Sequence, residues 1–177
     1  PKHTIIALVE DKPGGLNHMA SLFRRRGFNI ESIAVGRSEV PHLSRMTLVV
    51  NGANTMVEQV RKQLDKVVDV VKVSDITGDK LITRELALIK VKATSSTRSE
   101  VMQIVDIFRA NIVDVAADSV TVEVTGDENK IDSLLDLLRG FGIKELSRTG
   151  RIALTRGETN PLPVKKPPKA KGQKPTK

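Results

Sequence analysis

Val57, Val60, Leu64 and Val67 each have an apolar counterpart 74 residues further on, at Ile131, Leu134, Leu138 and Phe141. Steps of three and four residues put each set on one face of a helix, so a helix near 55–66 recurs in the second half of the chain. The surroundings recur as well. In the first half, Ile5-Ile6-Ala7-Leu8-Val9 is an apolar run of strand length. Leu16, Met19, Ala20 and Phe23 then form a helical stripe, and Gly27 is placed as a helix cap. Strands follow at 28–35 and 44–50, in hairpin position about Pro41, and a last strand at 68–76 runs up to Gly78. In the second half, a strand at 86–93 precedes a helix at 99–110 with Val101, Ile104, Val105 and Phe108 on one face. Strands at 111–115, 121–125 and 143–149 complete it, and Asn111-Ile112 echoes Asn29-Ile30 after the first helix. The order βαββαβ therefore occurs twice, over residues 1–78 and 79–157. Each unit is expected to form a four-stranded antiparallel sheet with both helices on one face, an α+β fold.

The two units differ at one turn. Between its first strand and first helix the first unit has Glu10-Asp11-Lys12-Pro13-Gly14-Gly15-Leu16, and the second has Thr94-Ser95-Ser96-Thr97-Arg98. Two glycines remove every Cβ from the helix entrance, where unpaired N–H groups carry the positive end of the dipole. A carboxylate or phosphate suits that corner. Pro-Gly-Gly is also ordinary turn chemistry, but the second unit shows that the fold does not need it. The hydroxyls of 94–97 can cap a helix through side chains instead. Asn29, at a strand start, can both donate and accept hydrogen bonds, although it also reads as an ordinary strand-edge residue. A ligand with a carboxylate, an ammonium and a short apolar group fits these surroundings. The first strand is apolar without a break, so both its faces are expected to be covered. Pairing of two first units would also remove an exposed strand edge, which predicts a two-fold homodimer through residues 1–78.

Charge and composition narrow the function. The net charge is +8, but residues 158–177 contribute +5 of it through six lysines and one glutamate, leaving +3 for the rest. Five of the eight prolines also lie there, so this segment reads as a disordered basic tail. No apolar run near 18 residues and no signal-peptide pattern is present, which predicts a soluble, cytoplasmic protein without membrane contact. There is no cysteine, hence no disulfide, thiolate ligand or cysteine nucleophile. Sheets of this shape that bind RNA stack bases on aromatics. This chain has four Phe and no Trp or Tyr, and Phe23, Phe108 and Phe141 sit on core stripes, so nucleic-acid binding is not expected. His3, His18 and His42 are scattered and read as surface residues, and Asp114, Asp118, Asp127 and Glu128 as solvated acids near strand ends and turns. No catalytic or metal pattern stands out.

Several separate stretches carry a resemblance. Glu10-Asp11-Lys12-Pro13-Gly14, Leu22-Phe23-Arg24-Arg25-Arg26-Gly27-Phe28-Asn29-Ile30-Glu31-Ser32, Leu43-Ser44-Arg45-Met46-Thr47, Gln63-Leu64-Asp65-Lys66-Val67-Val68-Asp69-Val70 and Ser147-Arg148-Thr149-Gly150 resemble the small regulatory subunits of acetohydroxyacid synthase (acetolactate synthase), over about residues 3–157. The resemblance implies an N-terminal ACT domain, a C-terminal ferredoxin-like domain and a dimer through the ACT domains. It implies no catalysis by this chain and no cofactor on it. The partner would be the catalytic subunit, with thiamine diphosphate, FAD and magnesium, which the small subunit activates. It would also confer feedback inhibition by valine, or in some members by leucine or isoleucine. The implied effector residues are Asp11, Gly14, Gly15, Leu16, Asn29 and Ile30. Some members have asparagine at the position of Asp11, and an acid there favours an effector's ammonium while repelling its carboxylate.

Overall fold

The computed structural model describes residues 1–14, 18, 19, 21 and 27–163. They fall into two compact units. One gathers Pro1–Glu31, Val35–Asp79 and the segment from Gly157, and the other Ser32–Ala34 and Lys80–Arg156.

The first sheet and its helix comprise strands β1 (Lys2–Glu10), β2 (Ile30–Arg37) and β3 (Leu43–Asn51), helix α1 (Asn54–Asp65) and strand β4 (Val70–Asp75). The sheet order is β2-β3-β1-β4. β1 lies antiparallel to β3, from Lys2↔Asn51 to Glu10↔Leu43, and antiparallel to β4 with a bulge between Leu8 and Val9. Between β1 and β2, His18, Met19 and Ser21 have helical backbone, and Met19 is buried in the core. The remaining stripe residues Leu16, Ala20 and Phe23 lie outside the described residues.

The core follows the period of two along each strand. Ile5, Ala7 and Val9 meet Met46, Leu48 and Val50 and the α1 stripe Val57, Val60 and Leu64. The other face of β1 is closed too. Thr4, Ile6 and Leu8 are at most 2% exposed, as are Thr47 and Val49 opposite them. A single chain thus covers both faces of this strand, as its unbroken apolar run predicts. Part of the cover is the segment after Gly157. Lys72, opposite Leu8, donates from Nζ to the Pro163 carbonyl at 3.3 Å, and Leu162 is buried. The Leu162 N–H donates to Asn160 Oδ1 at 2.9 Å, which turns the chain there. Residues 164–177, the bulk of the expected disordered tail, lie outside the described residues. His3 departs from its surface reading: it is 7% exposed, and its Nε2 has no hydrogen-bond partner among the described residues. As an odd-numbered residue of β1 it points to the helix side with Ile5.

The second unit contains β5 (Leu81–Lys92), α2 (Arg98–Ile107), β6 (Asn111–Val115), β7 (Ser119–Gly126), α3 (Glu128–Arg139), β8 (Ile143–Arg148) and β9 (Ile152–Thr155). Its order β6-β7-β5-β8 repeats that of the first sheet. Ile131, Leu134 and Leu138 are fully buried like their counterparts Val57, Val60 and Leu64, while Phe141 and Val67 pack partly buried against their cores.

Here β5 begins five residues earlier than the sequence suggests, and β9 was not expected. The two differences have one cause. β8 pairs with β5 through Ala87↔Arg148, and β9 resumes at Arg84↔Ile152, so residues 149–151 face only residues 85 and 86. β8 and β9 are one antiparallel path interrupted by a bulge, where Gly150 takes φ +81°. Thr149 fastens the bulge: its N–H donates to the Leu86 carbonyl (3.0 Å), and its Oγ1 accepts from the Leu86 N–H (3.1 Å). Beside it, Arg148 donates to Glu85 from Nε (2.6 Å) and Nη2 (3.0 Å), and to Asp132 on α3 from Nη1 (2.8 Å). Glu85 is 5% exposed. Hydrogen bonding of Arg148 to Glu85, and with it that to Asp132, raises the Arg148 pKa further above its already high value.

Candidate ligand site

β1 ends at Glu10 because Pro13 and Gly14 turn the chain away from the sheet. Gly14 has φ +85°, a conformation in which a Cβ is unfavourable, and a Cβ built there would meet nothing within 4 Å. Its carbonyl accepts from the N–H of His18, which has helical backbone, at 3.2 Å. The Asp11 N–H donates to the His42 carbonyl (2.9 Å), tying this turn to the tip of the β2–β3 hairpin. That tip is internally braced. Ser38 bonds the Leu43 carbonyl through both its N–H (3.0 Å) and Oγ (2.7 Å), and Oγ accepts from the Val40 N–H at 3.1 Å.

Between turn and tip lies a cleft of about 350 Å³ lined by Asp11, Arg37, Ser38, Val40, Pro41, His42 and Leu43. Lys12 is no counter-ion for it, because its ammonium pairs with Glu10, whose hydrogen bond raises the lysine pKa. The side chains of Asp11 and Arg37 carry no hydrogen bond or ion pair among the described residues. Arg37 was not among the sequence-derived candidates. Its cue was the hairpin: antiparallel pairing of β1 with β3 sets the end of β2 beside the end of β1.

The other candidates lie elsewhere. The Asn29 carbonyl accepts from the Asn51 N–H at 3.0 Å, and Asn51 is the partner of Lys2 at the start of β1. Glu31 confirms the position through Lys2 Nζ (3.1 Å) and Asn51 Nδ2 (3.1 Å). The nine residues of β1 span about 26 Å. Asp11 and Gly14 are therefore a sheet length away from Asn29 and Ile30 in the same chain. Gly15 and Leu16 lie outside the described residues.

At the matching turn of the second unit the hydroxyls bond within the loop. Thr97 Oγ1 accepts from the Thr94 N–H (3.0 Å) rather than from a helix N–H, and Arg98 Nη2 donates to the carbonyls of Ala116 and Ala117 (both 3.2 Å). Three of the four acids noted in the sequence have structural partners. Asp127 caps α3 by accepting from the Lys130 N–H (2.8 Å), Asp118 pairs with Lys144 (2.9 Å) and Glu128 with Arg151 (3.0 Å). Among the described residues no group of His, Asp or Glu is arranged to hold a metal, and no helix is long and apolar enough to cross a membrane.

Known proteins resemble this chain over most of its length. Residues 5–72 match the family described as "AHAS small subunit-like ACT domain", and residues 84–157 match "Small subunit of acetolactate synthase". The probable acetolactate synthase small subunit of Archaeoglobus fulgidus is 56% identical over 156 residues, 88% of this chain and 98% of that protein. The acetolactate synthase small subunit of Mycobacterium leprae is 52% identical over 157 residues, 89% and 93% of the two chains. The crystal structure of the acetolactate synthase small subunit from Thermotoga maritima superposes with a TM-score of 0.81 at 40% identity, covering 90% of this chain and 99% of that one.

Proposed function

The chain belongs to the acetolactate synthase small-subunit family, and from that premise we propose that it confers feedback inhibition by a branched-chain amino acid, valine foremost, on a catalytic subunit that it also activates. It is a small regulatory subunit with an ACT domain over residues 5–72. In this reading the chain performs no catalysis and holds no cofactor. Thiamine diphosphate, FAD and magnesium belong to its catalytic partner, and the pair works in the cytoplasm.

One observation carries the proposal: Asp11 and Gly14 stand at one end of β1, and Asn29 and Ile30 at the other. A site using both groups needs two chains. β2 is an outer strand of its sheet. Antiparallel pairing of two β2 strands about a two-fold axis sets the beginning of each, with Asn29 and Ile30, toward the hairpin end of the other. The effector then lies between the chains. Its carboxylate is drawn by the N–H groups and dipole at the helix entrance, and its neutral side is met by Asn29 and Ile30 of the second copy. By bridging the first units it favours one dimer arrangement, which the catalytic subunit senses. Couplings of this kind are about 1–3 kcal/mol and reciprocal.

Calorimetric titration of valine, leucine and isoleucine into the full chain tests the proposal. Saturable binding of at least one, abolished in Gly14→Asp, is the expected result, together with capture of the catalytic subunit in a pull-down. A wild-type chain that binds none of the three, or a Gly14→Asp chain that binds as before, overturns it.

A further inference from the structure

Beyond β9 the chain reads Gly157-Glu158-Thr159-Asn160-Pro161-Leu162-Pro163, and the family match stops at residue 157. Apart from its prolines this stretch has one apolar side chain, Leu162, and it is 2% exposed. The flanking prolines fix φ on either side and remove two N–H donors, so the stretch is partly shaped before it docks and cannot add to a sheet as an ordinary strand. Asn160 Oδ1 takes the Leu162 N–H at 2.9 Å, which leaves the leucine on a turn braced from within. The segment belongs to the first compact unit. The face open to it there is the helix-free side of the sheet, where Thr4, Ile6, Leu8, Thr47 and Val49 are at most 2% exposed. Lys72, on that side opposite Leu8, donates from Nζ to the Pro163 carbonyl at 3.3 Å. Arg45 flanks Leu8 from β3, and burial there lowers its pKa, so the row through Leu8 is withdrawn from water on both sides.

The position of that lysine gives the contact a second role. β1 and β4 slip register between Leu8 and Val9, which leaves Val71 out of the pairing next to Lys72. Register resumes at Val9↔Val70, and the Asp69 carbonyl accepts from the Glu10 N–H at 2.8 Å. A short run of β4 thus connects the lysine to the bond that holds the end of β1, just before the turn at Pro13 and Gly14. We propose that residues 160–163 form a regulatory strap: Leu162 docks on the helix-free face of the first sheet, Lys72 latches it, and the strap steadies the bulge that sets the turn after β1. The last part rests on the effector reading above, because that turn is the corner where the effector is placed. Release of the strap loosens the bulge and lowers affinity for the effector without removing any group that touches it. The strap lies outside the matched family region, so the control is added to the shared fold and is not part of it.

The test uses the full chain, its Leu162→Asp and Lys72→Met variants, and a synthetic peptide of residues 157–163. In NMR titration the peptide should saturably shift the amides of Ile6, Leu8 and Lys72 in the Leu162→Asp chain. It should leave the wild-type chain unshifted, because there the face is filled in cis, and the peptide with Leu162→Asp should shift neither. Amide exchange over β1 and β4 should quicken at least tenfold in Leu162→Asp and at least threefold in Lys72→Met, while β7 of the second unit stays within twofold. Valine, read by calorimetry, should bind at least threefold more weakly to both variants. A peptide that leaves the Leu162→Asp chain unshifted, or exchange at the wild-type rate in both variants, overturns the docking. Quickened exchange with unchanged valine affinity overturns the control of the turn. A wild-type chain that binds none of valine, leucine and isoleucine overturns the effector reading instead, and the peptide and exchange measurements still decide the strap. Should Leu162→Asp lose its fold by circular dichroism, Lys72→Met, which removes only the latch, decides through exchange and valine affinity.

Discussion

Gly14 separates conformation from chemistry at a single position. Its φ of +85° admits asparagine more readily than alanine, while the space around a Cβ there is open. Gly14→Ala is therefore expected to lower stability by about 1 kcal/mol in urea unfolding, from backbone strain alone. Gly14→Asn should be milder, and Gly14→Asp should add a charge where the ligand's carboxylate belongs. Glu85 is the opposite case, a residue whose importance lies wholly in its partners. Glu85→Gln removes one of the two carboxylates and one acceptor oxygen from the Arg148 guanidinium, leaving Asp132 as its remaining carboxylate partner among the described residues, and because Arg148 is partly solvated the expected loss is about 2 kcal/mol. Nothing local in the sequence marks that pair, since Glu85 and Arg148 are 63 residues apart and meet only once β5 and β8 are in register. Arg37 was hidden for the same reason, whereas the glycines of the turn announce a local backbone need. Surface ion pairs act more weakly, but their direction is clear. The hydrogen bond from Lys144 holds the Asp118 carboxyl below the usual aspartate range. Its stabilising contribution is present above the ordinary carboxylate pKa and is lost as pH falls through the lowered value. Carbon NMR should show Asp118 titrating below an ordinary aspartate, and Lys144→Met should return it to that range.

Helices with a strong apolar period were legible: α1 and α3 lie within a few residues of the spans that their stripes predict. Leu64→Ala and Leu138→Ala occupy equivalent buried positions, one in each unit. Each should lower stability by about 2–5 kcal/mol. Hydrogen exchange should show the larger loss of protection within the unit that holds the substitution. Strand ends were less legible, because a glycine reads alike as a stop and as a bulge. The last strand of the second unit was expected to stop at residue 149, yet Gly150, at φ +81°, bends a path that continues as β9. The front of β5 was missed with it, since Leu81 to Arg84 pair only with that continuation. Gly150→Ala should cost more than the about 1 kcal/mol of backbone strain alone, because its Cβ would stand 2.9 Å from Ser32 Cβ, and should weaken exchange protection over β9 before any other strand.

For the whole molecule, the repeat foretold two units of one topology, and their like strand orders bear this out. How a ligand site is divided between chains was less readable, because it depends on which end of a strand each residue occupies. Mixing two defective chains examines that division. If Gly14 acts from one chain and Asn29 from the other, a dimer of Gly14→Asp with Asn29→Ala gathers both defects into one site and leaves the second intact. Refolded mixtures should regain part of the valine binding that neither variant shows alone, and a mixture as inert as its components contradicts the shared site. Reciprocity adds a further expectation: assembly with the catalytic subunit should change valine affinity by the same factor that valine changes assembly.

The length of β1, about 26 Å, that parts Asp11 from Asn29 has a consequence for dilution. An effector clasped by residues from both ends acts as a rivet, and a rivet needs two plates. Its apparent affinity then depends on how many chains have already met, so valine should bind less tightly as the protein is diluted, and added valine should hold together pairs that dilution would otherwise part.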